Sequence, residues 1–303
     1  LQNYKKSKFY YENSLKQNPN SKEILINLAY LEQSYGKLEE AKNIYQKLLS
    51  LNPYYIETYY RMYLLNSNYL KDEYEKLFFE IINKKNISLH ERSLANYLLS
   101  KIQKKKSKYK LEIEYLKKSH ADIFNSKKSY NLQSNFYYQE IISKKLENIV
   151  FSNQNNEHIN FQKYFPIFIV GLPRSGSTLV ETLLSDNEKI KGLGENSVIN
   201  MAVLNQVSNK IFAKNFDKEN FEFLIDCSEL KQFVLKKFSN LMEFNENIRF
   251  VDKTLENFFN IDIILKLFPN AKFIHCFRNL NDAVIAIFQS LLPTLSWTHN
   301  LDD

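Results

Sequence analysis

Apolar residues along this chain follow two different rhythms, and the change falls near residue 166. Upstream, SLHERSLANYLLSKI (88–102) and KYKLEIEYLKKSHADIF (108–124) place them at i, i+3, i+4 and i+7, the stripe of a helix with one buried face. Ser88 followed by Glu91 gives the first of these a capping-box start. Helical patterning extends over residues 71–149, and the polar stretch VFSNQNNEHINFQKY (150–164) reads as a linker. Downstream, short unbroken apolar runs take over. Ile167 to Val170 stops at Gly171, KIKGLGEN (189–196) is a short strand ending in a Gly-Glu turn, and IRFVDK (248–253) is a third strand. KFIHCFR (272–278) is expected as a buried strand. Helices are expected from about Ser177, across 197–245 with polar turns between them, over 256–267 and over NDAVIAIFQSLL (281–292). Strands alternating with helices predict a parallel, doubly wound sheet. The expected organisation is a helical domain over 1–149, the linker over 150–164, and an α/β domain over 165–303.

The helical half carries a repeat signal. Leu25, Leu28, Ala29, Gly36, Ala41, Tyr45, Leu48 and Pro53 fall at spacings that resemble the tetratricopeptide repeat, and Pro19 precedes Pro53 by one such period. Ser7 and Tyr11 match Ala41 and Tyr45, so the chain opens in the second helix of a unit. A third unit starts near Ile56, where ETYYRMYLLNSNYL drifts from the pattern. Small residues such as Ala29 and Ala41 let paired helices approach, and proline closes each unit because it cannot continue a helix. Such an array needs about three units to be stable, which predicts more repeats upstream.

Candidate chemistry concentrates in PIFIVGLPRSGSTLVETLL (166–184). A strand, a loop of small residues and a helix start form an anion trap, because the first N–H groups of the helix lack intrahelical partners and carry partial positive charge. Gly171 and Gly176 let the backbone curl, Ser177 and Thr178 add hydroxyls, and the Arg174 guanidinium forks onto a sulfate or phosphate. The Gly171-x-x-x-x-Gly176 spacing opens like a P-loop, but Ser177 stands where the NTPase lysine belongs. The bland alternative is a plain strand–turn–helix. In doubly wound sheets reactive groups gather at the carboxyl ends of strands, which selects Arg174, Glu195, Lys253 and Arg278.

Composition changes this picture little. Hydrophobic residues make up 44% of 303, with five Gly and six Pro, as in a soluble, helix-leaning protein. No apolar run is long enough for a membrane span. Residues 1–150 hold 26 Lys+Arg against 16 Asp+Glu, and residues 151–303 hold 15 against 18, so the positive surplus lies in the helical half. Its densest stretch, KKKSKYK (104–110), is short of arginine and reads as a solvated helix end rather than a specific nucleic-acid surface. Cys227 and Cys276 suit neither a disulfide framework nor a metal pattern, and a reducing, cytoplasmic setting fits.

Taken in order, PRSGST, LGEN, DKT and the arginine of FIHCFRN resemble the sulfotransferase family over about residues 165–300. The resemblance is nearest to tetratricopeptide-linked sulfotransferases and protein-tyrosine sulfotransferases, which have Arg in this loop where cytosolic small-molecule enzymes have Lys. It implies 3′-phosphoadenosine-5′-phosphosulfate as donor, adenosine 3′,5′-bisphosphate as product, a hydroxyl-bearing protein, peptide or glycan acceptor, and no metal. Residues Arg174, Ser175, Gly176, Ser177 and Thr178 would hold the 5′-phosphosulfate and Arg278 the 3′-phosphate. Glu195 matches the general base and Lys253 the lysine that stabilises the leaving group, while the helical arm would take a protein partner. Relatives usually have serine where Ala286 stands, with Ser290 one turn on. They also continue past Asp303 with helices that build the acceptor site, so the resemblance implies a fragment at both ends.

Each role has a rival. Glu195 can cap the next helix, and Lys253 can be a surface lysine. Asp252 can orient Lys253 or cap the 256–267 helix, the latter being the safer reading. His275 reads as a core histidine, and His299 lies too near the end of the sequence to weigh. Two further functional classes stand beside the transferase: an interaction scaffold with a decayed sulfotransferase-like domain, and a P-loop nucleotide kinase.

Overall fold

The computed structural model describes residues 4–152, 164–217, 220–241 and 249–299. By contacts the chain divides into two compact units, Leu1–Ser129 with Leu291–Asp303, and Tyr130–Ser290.

The first unit is helical. It runs through α1 (Tyr4–Gln17), α2 (Lys22–Ser34), α3 (Leu38–Leu51), α4 (Ile56–Leu65), α5 (Tyr74–Ile82), α6 (Leu89–Lys105) and α7 (Tyr109–Ser126), each of α1–α3 packed on the next. Ala29 and Ala41 are fully buried between α2 and α3, with Leu25, Tyr45 and Leu48 filling the same cluster. Gly36, at φ 74, makes the turn between them. The capping box is present: Ser88 Oγ accepts from Glu91 N at 3.2 Å, and Ser88 N donates back to the Glu91 carboxylate at 3.3 Å. The helix it starts, α6, packs against α4, α5 and α7 and is buried nearly all round rather than on one face. Several of its polar residues are therefore partnered. Ser93 donates to the Ser119 carbonyl at 2.8 Å, Gln103 to Glu75 at 2.6 Å, and Arg92 forks onto Asp122 at 2.8 and 2.6 Å.

A 3₁₀ turn at Ser296–His299 packs on α7 in the same unit. His299 is buried, and its Nδ1 lies 3.0 Å from His120 Nδ1. Its place near the end of the sequence carries no sign of this role, because the contact joins residues 179 positions apart.

The second unit begins within α8 (Lys128–Phe136) and continues through a π-helical turn, Tyr137–Ile141. It contains α9 (Ile142–Asn148), β1 (Ile149–Ser152), β2 (Ile167–Gly171), α10 (Ser177–Ser185), β3 (Ile190–Gly192), α11 (Val198–Ile211), β4 (Phe223–Asp226), α12 (Cys227–Ser239), β5 (Arg249–Asp252), α13 (Ile261–Leu267), β6 (Lys272–Cys276) and α14 (Leu280–Phe288). Among the described residues four strands form a parallel sheet in the order β3-β5-β2-β6, as alternating strands and helices predict. Both faces of β2 are covered. Phe168 stacks on Phe273 and meets Phe250 edge-on, while Ile167 and Ile169 pack with Val251, Cys276, Val180 and Leu184. That double burial is why IFIV is unbroken rather than alternating. Cys227 and Cys276 are buried free thiols.

Three expectations need correction. Residues 197–245 are not helical throughout: FLID forms β4, which pairs in parallel with β1, itself split between the expected helices and the expected linker. Four-residue runs beside helices carry too little period to be separated from them. Of that linker, residues 153–163 lie outside the described residues. The expected helix over 256–267 is a 3₁₀ segment, Leu255–Asn260, followed by α13, because Asn257 and Asn260 turn inward and are buried. The expected buried strand at 272–278 is β6 at the margin of the sheet, and His275 on it is exposed rather than a core histidine. Among the described residues no helix is long and apolar enough to cross a membrane.

Burial, with His120 beside it, holds the His299 imidazole down at about 4, so folding disfavours its proton. The unfolded chain then binds more protons between about 4 and 6.5, and stability is lost as pH falls through that window. Denaturant unfolding at pH 7 and pH 5 should show a loss of up to about 1.4 kcal/mol per pH unit from this group. The His299→Gln variant should lack that component.

Candidate active site

The anion loop is built where β2 stops. Gly171 sits at φ 139, and a Cβ there would meet the Cys276 carbonyl oxygen of β6 at 2.4 Å, so only glycine allows this close approach of the two strands. Arg174 follows at φ 64, a left-handed conformation that costs a non-glycine residue about 1–3 kcal/mol and recurs at binding sites. Gly176, at φ 93, caps α10 without any side-chain capping bond. The helix start is thus left to backbone N–H groups, with Thr178 exposed and Ser177 buried beside it. Ser175 Oγ is buried and has no hydrogen-bond partner. An unpartnered hydroxyl, uncapped N–H groups and an exposed guanidinium together fit an anionic ligand, and the buried hydroxyl is costly without a partner.

Arg278 lies two residues beyond β6, exposed, and its Nη1 donates to the Arg174 carbonyl at 3.4 Å. The two arginines therefore stand together at the carboxyl ends of neighbouring strands. Ala286 is on α14, and Ser290 is no direct substitute for the missing hydroxyl. Its Oγ donates to the Ala286 carbonyl at 2.8 Å.

Glu195 and Lys253 form the second pair. Lys253 follows β5 and Glu195 follows β3, strands that pair directly. Lys253 Nζ lies 2.6 Å from Glu195 Oε1, with the lysine side chain 8% exposed and the glutamate 61%. Lys253 is thus not a surface lysine, and Glu195 does not cap α11, whose N-cap is Ser197. Asp252, fully buried, accepts from Thr254 N at 2.9 Å and so shapes the DKT turn, while α13 starts only at Ile261. Burial pushes its carboxyl above the usual range.

Four residues beside these were missed from sequence. Thr254 Oγ1 accepts from Asn196 N at 3.1 Å and Ser197 N at 3.0 Å. Glu181, a charge within the apolar run TLVETLL, accepts from Gly194 N at 2.7 Å. Tyr138, in the π-helical turn, donates to Glu256 at 3.1 Å. Burial pushes the Glu256 carboxyl up, and the Glu195 charge adds to this against the Tyr138 bond. Glu181 had a readable signal, being the sole charge in its helix; Tyr138 had none, since its partner is 118 positions away.

Residues 166–303 match the model of the sulfotransferase family. That match supports a sulfotransfer activity in general for the part of the chain that holds the site. An uncharacterized protein of Aquifex aeolicus (strain VF5) is 34% identical over 130 residues, covering 41% of this chain and 17% of that protein. The chain thus aligns with about a sixth of that relative's length. No solved structure matches.

The Gly171→Ala variant should clash with the Cys276 carbonyl and lose the favoured φ, at a cost on the order of 2–5 kcal/mol. Urea unfolding followed by far-ultraviolet circular dichroism should show a correspondingly lower midpoint.

Proposed function

We propose that residues 165–303 form the donor half of a 3′-phosphoadenosine-5′-phosphosulfate-dependent sulfotransferase acting on a hydroxyl acceptor, with a tetratricopeptide-like arm ahead of it. The observation that carries this reading is the 2.6 Å Lys253–Glu195 pair on the strands beside an uncapped, arginine-bearing anion loop. A kinase reading lacks the loop lysine, whose place Ser177 takes.

In this reading Arg174, Ser175 Oγ and the N–H groups at Gly176, Ser177 and Thr178 hold the 5′-phosphosulfate, and Arg278 holds the 3′-phosphate. When bound, the donor supplies an electrophilic sulfur: a bond forms to it from the acceptor oxygen, and its bond to the bridging phosphate oxygen breaks. Glu195 takes the acceptor's hydroxyl proton on its carboxylate as that bond forms. Lys253 offers its ammonium to the bridging oxygen, where negative charge grows. In the pair as it stands each group neutralises the other. Glu195, the more exposed of the two, is the one free to swing toward an acceptor while Lys253 stays in place. The N–H donors at the start of α10 are fixed before reaction, which is the economical way to stabilise developing charge. The buried packing of Ala29 and Ala41 between α2 and α3 supports reading the arm as stacked helix pairs of a tetratricopeptide-like repeat.

One observation favours a second reading, a scaffold whose transferase domain has decayed: Ala286 offers no hydroxyl, and Ser290 is already hydrogen-bonded to its own helix. Calorimetric titration of the full-length protein separates them. Binding of adenosine 3′,5′-bisphosphate without ATP supports the transferase, ATP binding supports the kinase, and binding of neither supports the scaffold. Arg174→Ala and Arg278→Ala should each weaken bisphosphate binding about 10- to 100-fold, the loss of one charge-assisted bond of about 1.5–3 kcal/mol. Glu195→Gln should bind it normally yet add no sulfuryl mass to a tyrosine peptide.

A further inference from the structure

Resting on that reading, we infer that Thr254 and Glu181 are positioning residues for the Glu195–Lys253 pair. They grip the 194–197 turn from two sides.

The Glu195 side chain is 61% exposed, so packing does little to fix it. Its place depends on the backbone that carries it, and that backbone is held at the residues before and after it. On the far side, the Thr254 hydroxyl accepts from both Asn196 N and Ser197 N, at 3.1 and 3.0 Å. Thr254 is itself 2% exposed, and Asp252 fixes its N–H at 2.9 Å. On the near side, Gly194 donates to Glu181 Oε1 at 2.7 Å, and the Gly194 carbonyl accepts from Lys253 N at 3.0 Å. The base and the lysine are thus tied through main chain as well as through their own contact.

Two further observations show how closely this turn is constrained. Ser197 sits at φ 54, so a serine is held in a left-handed conformation by the hydroxyl that receives its N–H. Gly192 leaves room for Glu181: a Cβ there would lie 3.1 Å from Oε1 and 2.7 Å from Ser185 Oγ. Glu181 also stands on the helix whose first turn is the anion loop, so it links the loop's position to that of the base. Misplacing a proton acceptor by about 1 Å costs about 100-fold in rate, which is the leverage such a grip supplies.

The test uses full-length protein with ¹³C-labelled lysine. The Lys253 Cε resonance, assigned by its loss in Lys253→Arg, reports the ion pair through its difference from Glu195→Gln. Thr254→Val keeps the shape but removes the acceptor, and should move this resonance most of the way to the Glu195→Gln position. Thr254→Ser should restore it. Glu181→Ala, a change on a half-buried helix face, should move it in the same direction without endangering the fold. With a tyrosine peptide as acceptor, kcat should fall about tenfold or more in Thr254→Val and Glu181→Ala, with bisphosphate Kd within about twofold of wild type. A wild-type lysine resonance in both variants overturns the inference. A shifted resonance in a protein that neither binds bisphosphate nor sulfates any peptide leaves the grip standing and removes the transferase reading instead.

Discussion

The site depends on one register. Strand β2 pairs in parallel with β5 through Ile167–Val251 and with β6 through Ile167–Lys272, and the second pairing continues to Gly171 opposite Cys276. Because all these strands point the same way, everything that follows them emerges at one edge of the sheet. A slip by one residue would exchange the two faces of β2, forcing Phe168 into the space filled by Ile167 and Ile169 and carrying Gly171 away from Cys276. Gly171 enforces the match, since only a residue without Cβ fits against the Cys276 carbonyl. From this alignment follows the meeting of Arg174 with Arg278, and the adjoining β3–β5 pairing brings Glu195 to Lys253.

Charge is distributed within that edge with some economy. Of the three cations there, Arg174 and Arg278 are exposed and Lys253 is nearly buried, and the exposed Glu195 carboxylate is held against Lys253. Two of the non-glycine residues in left-handed conformation, Arg174 and Ser197, lie in the two loops concerned. Strain of that kind persists only where neighbouring contacts over-determine the backbone, and around Ser197 those contacts can be named.

How much of this was legible follows from sequence separation. The anion loop, its helix and the capping box at Ser88 are local, and each was written in consecutive residues. The four strand-end residues were also readable, because a parallel sheet obeys a rule that converts strand order into position. Side-chain partners were not. Thr254 stood inside a recognised motif without a role, since its hydroxyl serves a turn 57 and 58 positions earlier. Strands β1 and β4 were lost for a different reason: four residues give no measurable period, and Asp226 reads equally well as the helix cap that it also is. His275 was misplaced because nothing in KFIHCFR says whether its strand lies inside a sheet or at its margin.

The long reach of β2 also sets an order of assembly. Helices α1 to α7 find their partners among near neighbours, so on a growing chain they can collapse within microseconds to milliseconds. The run IFIV has no such option, for its two flanking strands are made some eighty and a hundred residues later. During that interval an apolar, β-prone segment waits unpaired, the situation in which nascent α/β domains are most exposed to aggregation. The central position that makes β2 the organiser of the finished site makes it the most vulnerable stretch of the unfinished one.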